Sequence, residues 1–430
     1  MKKLIATLAV LAMAPAAFAA NGEFSHSAEY RARHTTNMQD VAFANDSHMD
    51  HRLMLNLDYR SGEKFSGHLG LIHYSQWGND NTGAKFFGST TSADDNMLVV
   101  NQAYASWMVS DDSAIKVGRM PIIIADGRVF GKNSYYGNQP VAFSAFNYSY
   151  DTEFANMAFF AVKLSDKVTK TLRSSFGSED PESNAYAFNF DFKSLPEFLK
   201  MANFHVIQVA TNEGTVDDGD ASTTDDNSAA KNQLRYGLTL GGDSMGIDYN
   251  LTYASIGGDT TAFGTTTKTD YASTMMDFTV GYTLASFMNS RFYLNYHTDS
   301  GTSSSAAGNE TYDGFYYSAH AYAGLMDIMK WGNLTDTSLN WTFESGKMNF
   351  AFNYHIFAAT EKEDVSTNGG AADAEKTDIG TEIDFKATHK YSDSFKISAL
   401  FGQFSSGERL TGTGTIADKQ KLTLEGTWTF

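Results

Sequence analysis

The feature that most constrains this chain is an alternation of apolar and polar side chains, which recurs in short segments from one end to the other. In segment 24–32, Phe24 and Tyr30 fall on one face and Arg31 falls on the other, and Arg33 continues the polar row. Successive side chains of a β-strand point to opposite faces, so each segment predicts a strand with one apolar and one polar face. The chain is therefore expected to be all-β.

The connections between these segments alternate between short turns and long polar loops. Residues 61–62, 110–113 and 241–244 have the composition of tight turns, whereas 121–140 is long and contains glycine. Counting the segments from 24–32 to 421–430 gives about 18 strands, within a range of about 16–18, and an even number is typical of outer-membrane barrels. We therefore predict a transmembrane antiparallel up-and-down β-barrel with short periplasmic turns and long extracellular loops, in the outer membrane of a Gram-negative bacterium.

The last segment, 419–430, keeps this alternation to its final residue. Its apolar row is Leu422, Leu424, Gly426, Trp428 and Phe430. Because a barrel in lipid needs every strand edge paired, we expect Trp428 and Phe430 to close the barrel and to present a signal to the outer-membrane assembly machinery. A soluble sandwich or solenoid would also alternate, but it would not explain the order of turns and loops.

Residues 1–20 have the composition of a secretory signal peptide. Lys2 and Lys3 precede an apolar run at 4–13 and a small-residue ending. That run is too short for a membrane helix, which needs roughly 20 residues. We therefore expect one barrel domain at 21–430, in contact with outer-membrane lipids and lipopolysaccharide.

The charge balance is strongly acidic. The formal net charge is −18, and it becomes −20 once Lys2 and Lys3 are removed with the signal. Such a balance argues against nucleic acid as a partner. Cysteine is absent, so no disulfide stabilises the chain. The sequence leaves a monomer and a homotrimer open, and the monomer is favoured.

A barrel of this size leaves an aqueous channel unless loops fill it. The loop 121–140 either stands in solvent or folds into the bore, where its charged groups would meet a polar solute. The residues expected to line or narrow the pore are Arg31, Arg33, Arg52, Arg60, Arg119, Asp126, Arg128, Glu382, Asp384 and Lys386. In the alternative interpretation, Arg119 and Arg128 only form salt bridges with carboxylates of the barrel wall.

Three stretches resemble the alginate-export family of outer-membrane β-barrels. They are NQAYASW with VGRM and ADGRVFG within 101–131, the stretch 318–339, and the stretch 378–407. The chain is also similar, more loosely, to the major outer-membrane porins of predatory bdellovibrio bacteria. The alginate-export resemblance implies an 18-stranded barrel and points to Arg119, Asp126, Arg128, His320, Asp327, Glu382 and Asp384 as residues of the family motifs.

The predicted function is passive, weakly selective diffusion of small polar solutes or ions. An exporter of a polyanion needs a lumen dominated by arginine and lysine, whereas this chain has 32 basic against 50 acidic residues. A substrate-specific exporter or uptake channel of the alginate-export type is the first alternative. A plugged structural or adhesive surface barrel is the second.

Neither a cofactor nor an enzymatic site is expected. Histidines are scattered along predicted strands, and no HExxH or GxSxG motif selects one of them. Asp217, Asp218 and Asp220 lie in an acidic stretch that would suit divalent cations, but the spacing is not that of an EF-hand. The stretch is best interpreted as a solvated surface loop.

Overall fold

The computed structural model describes residues 22–39, 46–77, 97–131, 140–165, 182–212, 230–262, 265–314, 316–317, 319–365, 368, 373–410 and 418–430. The predicted signal peptide, residues 132–139 of loop 121–140 and the acidic residues Asp217, Asp218 and Asp220 lie outside the described residues. Within the described ranges, no helix is long and apolar enough to cross a membrane.

Eighteen antiparallel strands form one closed sheet. They are β1 (Glu23–Gln39), β2 (Asp46–Ser61), β3 (Phe65–Gln76), β4 (Met97–Ser110), β5 (Ser113–Met120), β6 (Phe143–Asp151), β7 (Ala155–Ser165), β8 (Ser183–Phe192), β9 (Met201–Thr211), β10 (Ala230–Ser244), β11 (Ile247–Thr261), β12 (Lys268–Leu284), β13 (Ser290–Asp299), β14 (Thr335–Ser345), β15 (Met348–Ala358), β16 (Asp378–Ser392), β17 (Phe395–Ser406) and β18 (Lys419–Thr429). Each strand pairs with its sequence neighbours, and β1 pairs with β18. The predicted all-β barrel and its strand number are confirmed.

Short connections follow the even-numbered strands and meet at one end of the barrel, here called the turn end. Longer connections follow the odd-numbered strands and meet at the loop end. Two of them matter below: loop A, residues 121–142, and loop B, residues 300–334, which contains the short helix α1 (Ala319–Tyr322).

One predicted turn is misplaced. Residues 241–244 belong to β10, where Gly241 pairs with Asn250 and Ser244 pairs with Ile247. The chain reverses instead at Met245 and Gly246, which have φ values of 54° and 81°. A two-residue hairpin turn of this kind needs positive φ at both positions, and glycine supplies one of them without strain.

The seam between β1 and β18 follows the alternation of the sequence. Leu424 is exposed on the outer face, whereas Thr423 and Thr427 are buried inside. The backbone N–H of Phe430 donates to the carbonyl of Ala28 at 2.9 Å, and the reverse bond is 3.2 Å. The last residue therefore pairs across the seam, as expected for a barrel without free edges.

The loop half of the barrel encloses a hydrophobic core. Inward positions on β8, β9, β11 and β12 are apolar there: Ala185, Ala187, Ile207, Val209, Ala254, Ile256 and Met275. Against them pack side chains of loops A and B: Ile122, Ile124, Val129, Phe130, Tyr312, Tyr317, Met326, Met329, Trp331 and Leu334. Each fully buried side chain of this size contributes about 1.5–3 kcal/mol, so both loops are held inside the barrel.

Candidate functional site

Loop A forms a small hairpin inside the barrel. Ile124 and Phe130 pair as an isolated bridge, and the N–H of Gly127 donates to the carbonyl of Ile124 at 3.0 Å. Gly127 has a φ of 82°, which glycine adopts without strain. The sequence ADGR therefore folds as the tip of this hairpin and projects Arg128 toward the opposite wall.

Arg128 ties loop A to β12. Its Nε donates to Asp277 Oδ1 at 3.0 Å, and its Nη1 forms an ion pair with Asp126. The guanidinium lies 4.4 Å from the ring centre of Tyr322 in loop B. Burial alone would lower the pKa of Arg128, but Asp277 and Asp126 favour the charged form and raise it. Arg128 therefore makes the wall salt bridge of the alternative interpretation, from a position inside the barrel.

Loop B is clamped to β16 by two carboxylates. The N–H of Leu325 donates to Asp384 Oδ2 at 3.1 Å, and the N–H of Met326 donates to Glu382 Oε1 at 3.0 Å. Gly324, with a φ of 90°, lets the backbone turn so that these two N–H groups point at the carboxylates. Glu382 and Asp384 lie on the inner face as predicted. They are fully buried under loop B, so the expectation that they face pore water is corrected.

His320 and Asp327, to which the sequence resemblance pointed, contact each other. His320 Nδ1 lies 3.0 Å from Asp327 Oδ1, and Lys421 Nζ of β18 donates to Asp327 Oδ2 at 3.1 Å. Burial alone would raise the pKa of Asp327, but His320 and Lys421 together lower it below its usual value. The ion pair between Asp327 and Lys421 therefore attaches loop B to β18.

The other side of loop B is attached to β13. Asp299 accepts hydrogen bonds from the N–H groups of Gly332 at 2.9 Å and Leu334 at 2.8 Å. His297 lies between Asp277 and Asp299, with contacts of 3.3 and 2.9 Å, and stacks on Trp331 at 4.3 Å. Asp277 therefore links the anchors of both loops. Loop B therefore lies against the inner wall from β13 to β18.

The predicted arginines of β1 and β2 lie on the inner wall. Arg31, Arg33 and Arg52 are buried. Their carboxylate partners are Asp50, 3.1 Å from Arg33, together with Glu425, 3.7 Å from Arg31, and Glu29, 2.6 Å from Arg52. Their positive charge is thus offset along the wall. Arg60 and Lys386 are exposed on inward rows of the turn half.

Arg119 differs from expectation. It pairs in register with Ala103 of β4 and Ser144 of β6, and both belong to rows that point outward. In an antiparallel sheet, directly opposed residues share a face. The guanidinium folds back, and its Nε donates to the carbonyl of Asn101 at 3.1 Å. The expectation that Arg119 lines the pore is therefore corrected.

A cavity of about 340 Å³ lies where loops A and B meet the wall of β11–β15. Its lining combines charged, amide, hydroxyl and tyrosine side chains, chiefly Asp126, Arg128, Asp248, Tyr249, Asn250, Thr279, Arg291, Tyr293, Asn295, His320, Tyr322, Ser338, Asn340, Asn353 and His355. The sequence interpretation named only Asp126, Arg128 and His320 among them. Most of the missed residues are polar groups on inward rows of β11–β15, which the alternation alone would have placed in the lumen, whereas Tyr249 is on an outward row and Tyr322 is in loop B.

The part of the chain that the structure describes contains no group of three or more histidine, cysteine or acidic residues placed to hold a metal ion. The acidic residues 217, 218 and 220 lie outside it.

Solved structures with a similar fold include barrels from two bacteria. OccK1 (OpdK) of Pseudomonas aeruginosa has a TM-score of 0.62 at 10% identity, and the match covers 94% of this chain and 98% of that one. OccK8 (OprE) of the same species has a TM-score of 0.60 at 11% identity, over 95% and 98%. OccAB2 of Acinetobacter baumannii has a TM-score of 0.60 at 10% identity, over 94% and 98%.

These neighbours are outer-membrane porins. At identities this low the likeness shows the fold, and it does not single out the alginate-export family. No protein-family model matches the chain, and no curated protein matches it.

Proposed function

We propose that this protein is an outer-membrane channel through which small polar solutes diffuse passively and with weak selectivity. The observation that supports this most directly is the polar cavity of about 340 Å³ inside the barrel, at the level where loops A and B narrow the bore. A wide barrel with loops folded inward is the architecture in which pore diameter and lining groups decide what passes.

The charge of the inner wall favours weak selectivity. Arg31, Arg33 and Arg52 lie beside carboxylates, so this wall offers no excess of positive charge to an anionic polymer. Polyanion transport needs such an excess, because fixed cations must replace the counterions of the polymer. A substrate-specific exporter of the alginate-export type is therefore the weaker candidate, and membership of that family stays a hypothesis.

The plugged barrel is the other candidate. It is supported by the hydrophobic core that loops A and B build against the wall, with Phe130 and Trp331 among its buried members. A core of this kind holds the loops in place. It is equally compatible with a fixed constriction that leaves a narrow path.

Three experiments separate these candidates. Purified protein in a planar bilayer with a salt gradient is expected to give discrete conductance steps with a mild cation preference. A protein that inserts with heat-modifiable mobility on a detergent gel and never conducts would support the plugged barrel. Deletion of the gene is expected to leave polysaccharide release unchanged, and loss of release would favour the exporter.

The location follows the same proposal. Cell fractionation is expected to recover the protein in the outer membrane, without the residues before position 21. Trp428, stacked on Phe395 with ring centres 4.5 Å apart, and the terminal Phe430 are proposed to be recognised by the outer-membrane assembly machinery. We propose a monomer, which cross-linking in detergent would test.

A further inference from the structure

The cavity beneath loops A and B is lined by charged groups that already have partners of opposite charge. Arg128 contacts Asp126 and Asp277. Across the cavity, Arg291 Nε donates to Asp248 Oδ2 at 2.9 Å, and Arg291 also covers the ring of Tyr293 at 4.0 Å. Neither arginine therefore presents an uncompensated positive charge to a solute.

The two histidines of the lining also have acidic partners. His320 contacts Asp327, and His355 Nδ1 lies 2.9 Å from Asp336 Oδ2. A charged solute entering this cavity would lose hydration and meet only charged groups that already have partners of opposite charge. The electrostatics of the lining thus favour a neutral solute.

The remaining polar lining consists of amides and hydroxyls. Thr279, Asn295 and Ser338 lie side by side on the inner face, on the neighbouring strands β12, β13 and β14. One inward row closer to the turn end, Asn340 of β14 pairs with Asn353 of β15. Asn340 Nδ2 donates to Ser338 Oγ at 2.9 Å. Among the described residues, no hydrogen bond occupies the amide of Asn353. An amide both donates and accepts, which matches a hydroxyl group.

Two tyrosines complete the wall, namely Tyr293 of β13 and Tyr322 of loop B. Their rings supply apolar surface beside polar tips, and such surface suits the C–H faces of a sugar ring. The cavity volume of about 340 Å³ lies within the roughly 300–1,000 Å³ of small-molecule sites.

We propose that this cavity binds a neutral saccharide of one or two rings, with the amides of Asn250, Asn340 and Asn353 contacting its hydroxyl groups. This inference rests on the proposed channel function for the route to the site, but the binding itself does not require conduction.

Binding is tested on purified protein in detergent by saturation-transfer NMR with D-glucose, D-glucuronate and D-glucosamine. These probes share a pyranose ring and differ in charge. Glucose is expected to give the strongest transfer. Asn353→Leu is expected to weaken glucose binding by about threefold to tenfold, the effect of losing one or two neutral hydrogen bonds. Asn56→Leu is the matched control, because Asn56 lies on the inner face of β2 outside the cavity.

Transport is then tested by swelling of proteoliposomes in the same three solutes. Glucose binding that is weakened in Asn353→Leu but not in Asn56→Leu, together with faster entry of glucose than of the two charged sugars, supports both proposals. Equal transfer for the three probes, or none for glucose, overturns the saccharide site even if ions are conducted. Glucose binding without any ion or solute passage retains the site and overturns the channel. If Asn353→Leu gives no heat-modifiable band on a detergent gel, it has not folded. Asn250→Ala then replaces it as the test of glucose binding, with the same measurements.

Discussion

Arg128→Ala is expected to destabilise the barrel by about 3 kcal/mol. Removing one partner of a buried ion pair costs roughly 3–5 kcal/mol, because the other charge stays buried without its partner. The lower end applies for two reasons. The Arg128 side chain keeps 11% of its surface exposed, and Asp277 retains Asn295 as a donor at 2.9 Å and His297 at 3.3 Å.

The assay is urea unfolding of the protein in lipid vesicles, followed by tryptophan fluorescence. The double variant Arg128→Ala/Asp277→Ala is expected to lose less unfolding free energy than the two single variants lose together. In the double variant, neither member of the pair stays buried without the other. Arg60→Ala, at an exposed position on the turn end, is the control and is expected to change stability by less than about 0.5 kcal/mol. If Arg128→Ala is as stable as Arg60→Ala, or if the two losses simply add, the ion pair does not anchor loop A.

In planar bilayers, Arg128→Ala is expected to give larger or less selective conductance than the wild type. Unchanged conductance and ion preference would indicate that Arg128 has a purely structural role.

Three further predictions concern loop B and the seam. Gly324→Ala should loosen loop B, because the φ of 90° is unfavourable for alanine and the new Cβ would collide with the carboxylate of Glu382. Protease cleavage within loop B should therefore increase. In the control Gly346→Ala nothing lies near the new Cβ, and cleavage should not increase. Because the pKa of Asp327 is lowered in the docked loop, docking is stabilised above the usual pKa of an aspartate and is lost as the pH falls through the lowered value. Lys421→Met should shift this loss to higher pH, seen as conductance recorded across the acid range. Deletion of Phe430 removes its two backbone bonds across the seam and should reduce the yield of folded barrel on a heat-modifiability gel without abolishing synthesis.

The strands were predictable because their signal is local. Alternation within each segment placed Thr423 inside and Leu424 outside, and the closed β1–β18 seam agrees with both. Strand ends were less certain, and β10 runs through the predicted turn. Its two glycines fit an extended strand, and the positive φ that a tight turn needs falls at Gly246 instead.

Arg119 illustrates why the face of a short strand is hard to assign. In β5 it continues the outward row of Ile115 and Val117, so an arginine follows apolar residues on one face. The pairing with β4 and β6 settles this, and such pairing is not written in β5 itself. The guanidinium is accommodated by the carbonyl of Asn101 near the loop end.

The inward loops correspond to a signal in the strands that they cover. In β9, Phe204 and Val206 face outward while Ile207 and Val209 face inward, so both faces are apolar. Strands that are apolar on both faces are buried on both, which indicates that something apolar covers the inner wall. What covers it could not be read locally, because Glu382 and Asp384 meet partners 56 and 59 residues away in loop B.

Loops A and B, held inside the barrel, are expected to limit what passes through it. The most direct test of this expectation is the single-channel conductance of Glu382→Ala/Asp384→Ala, measured beside the wild type and beside Glu382→Gln/Asp384→Asn, which keeps acceptor oxygens for the N–H groups of Leu325 and Met326. The alanine pair is expected to conduct in larger steps than the wild type, whereas the amide pair should resemble the wild type. Equal steps from all three folded proteins would contradict the account.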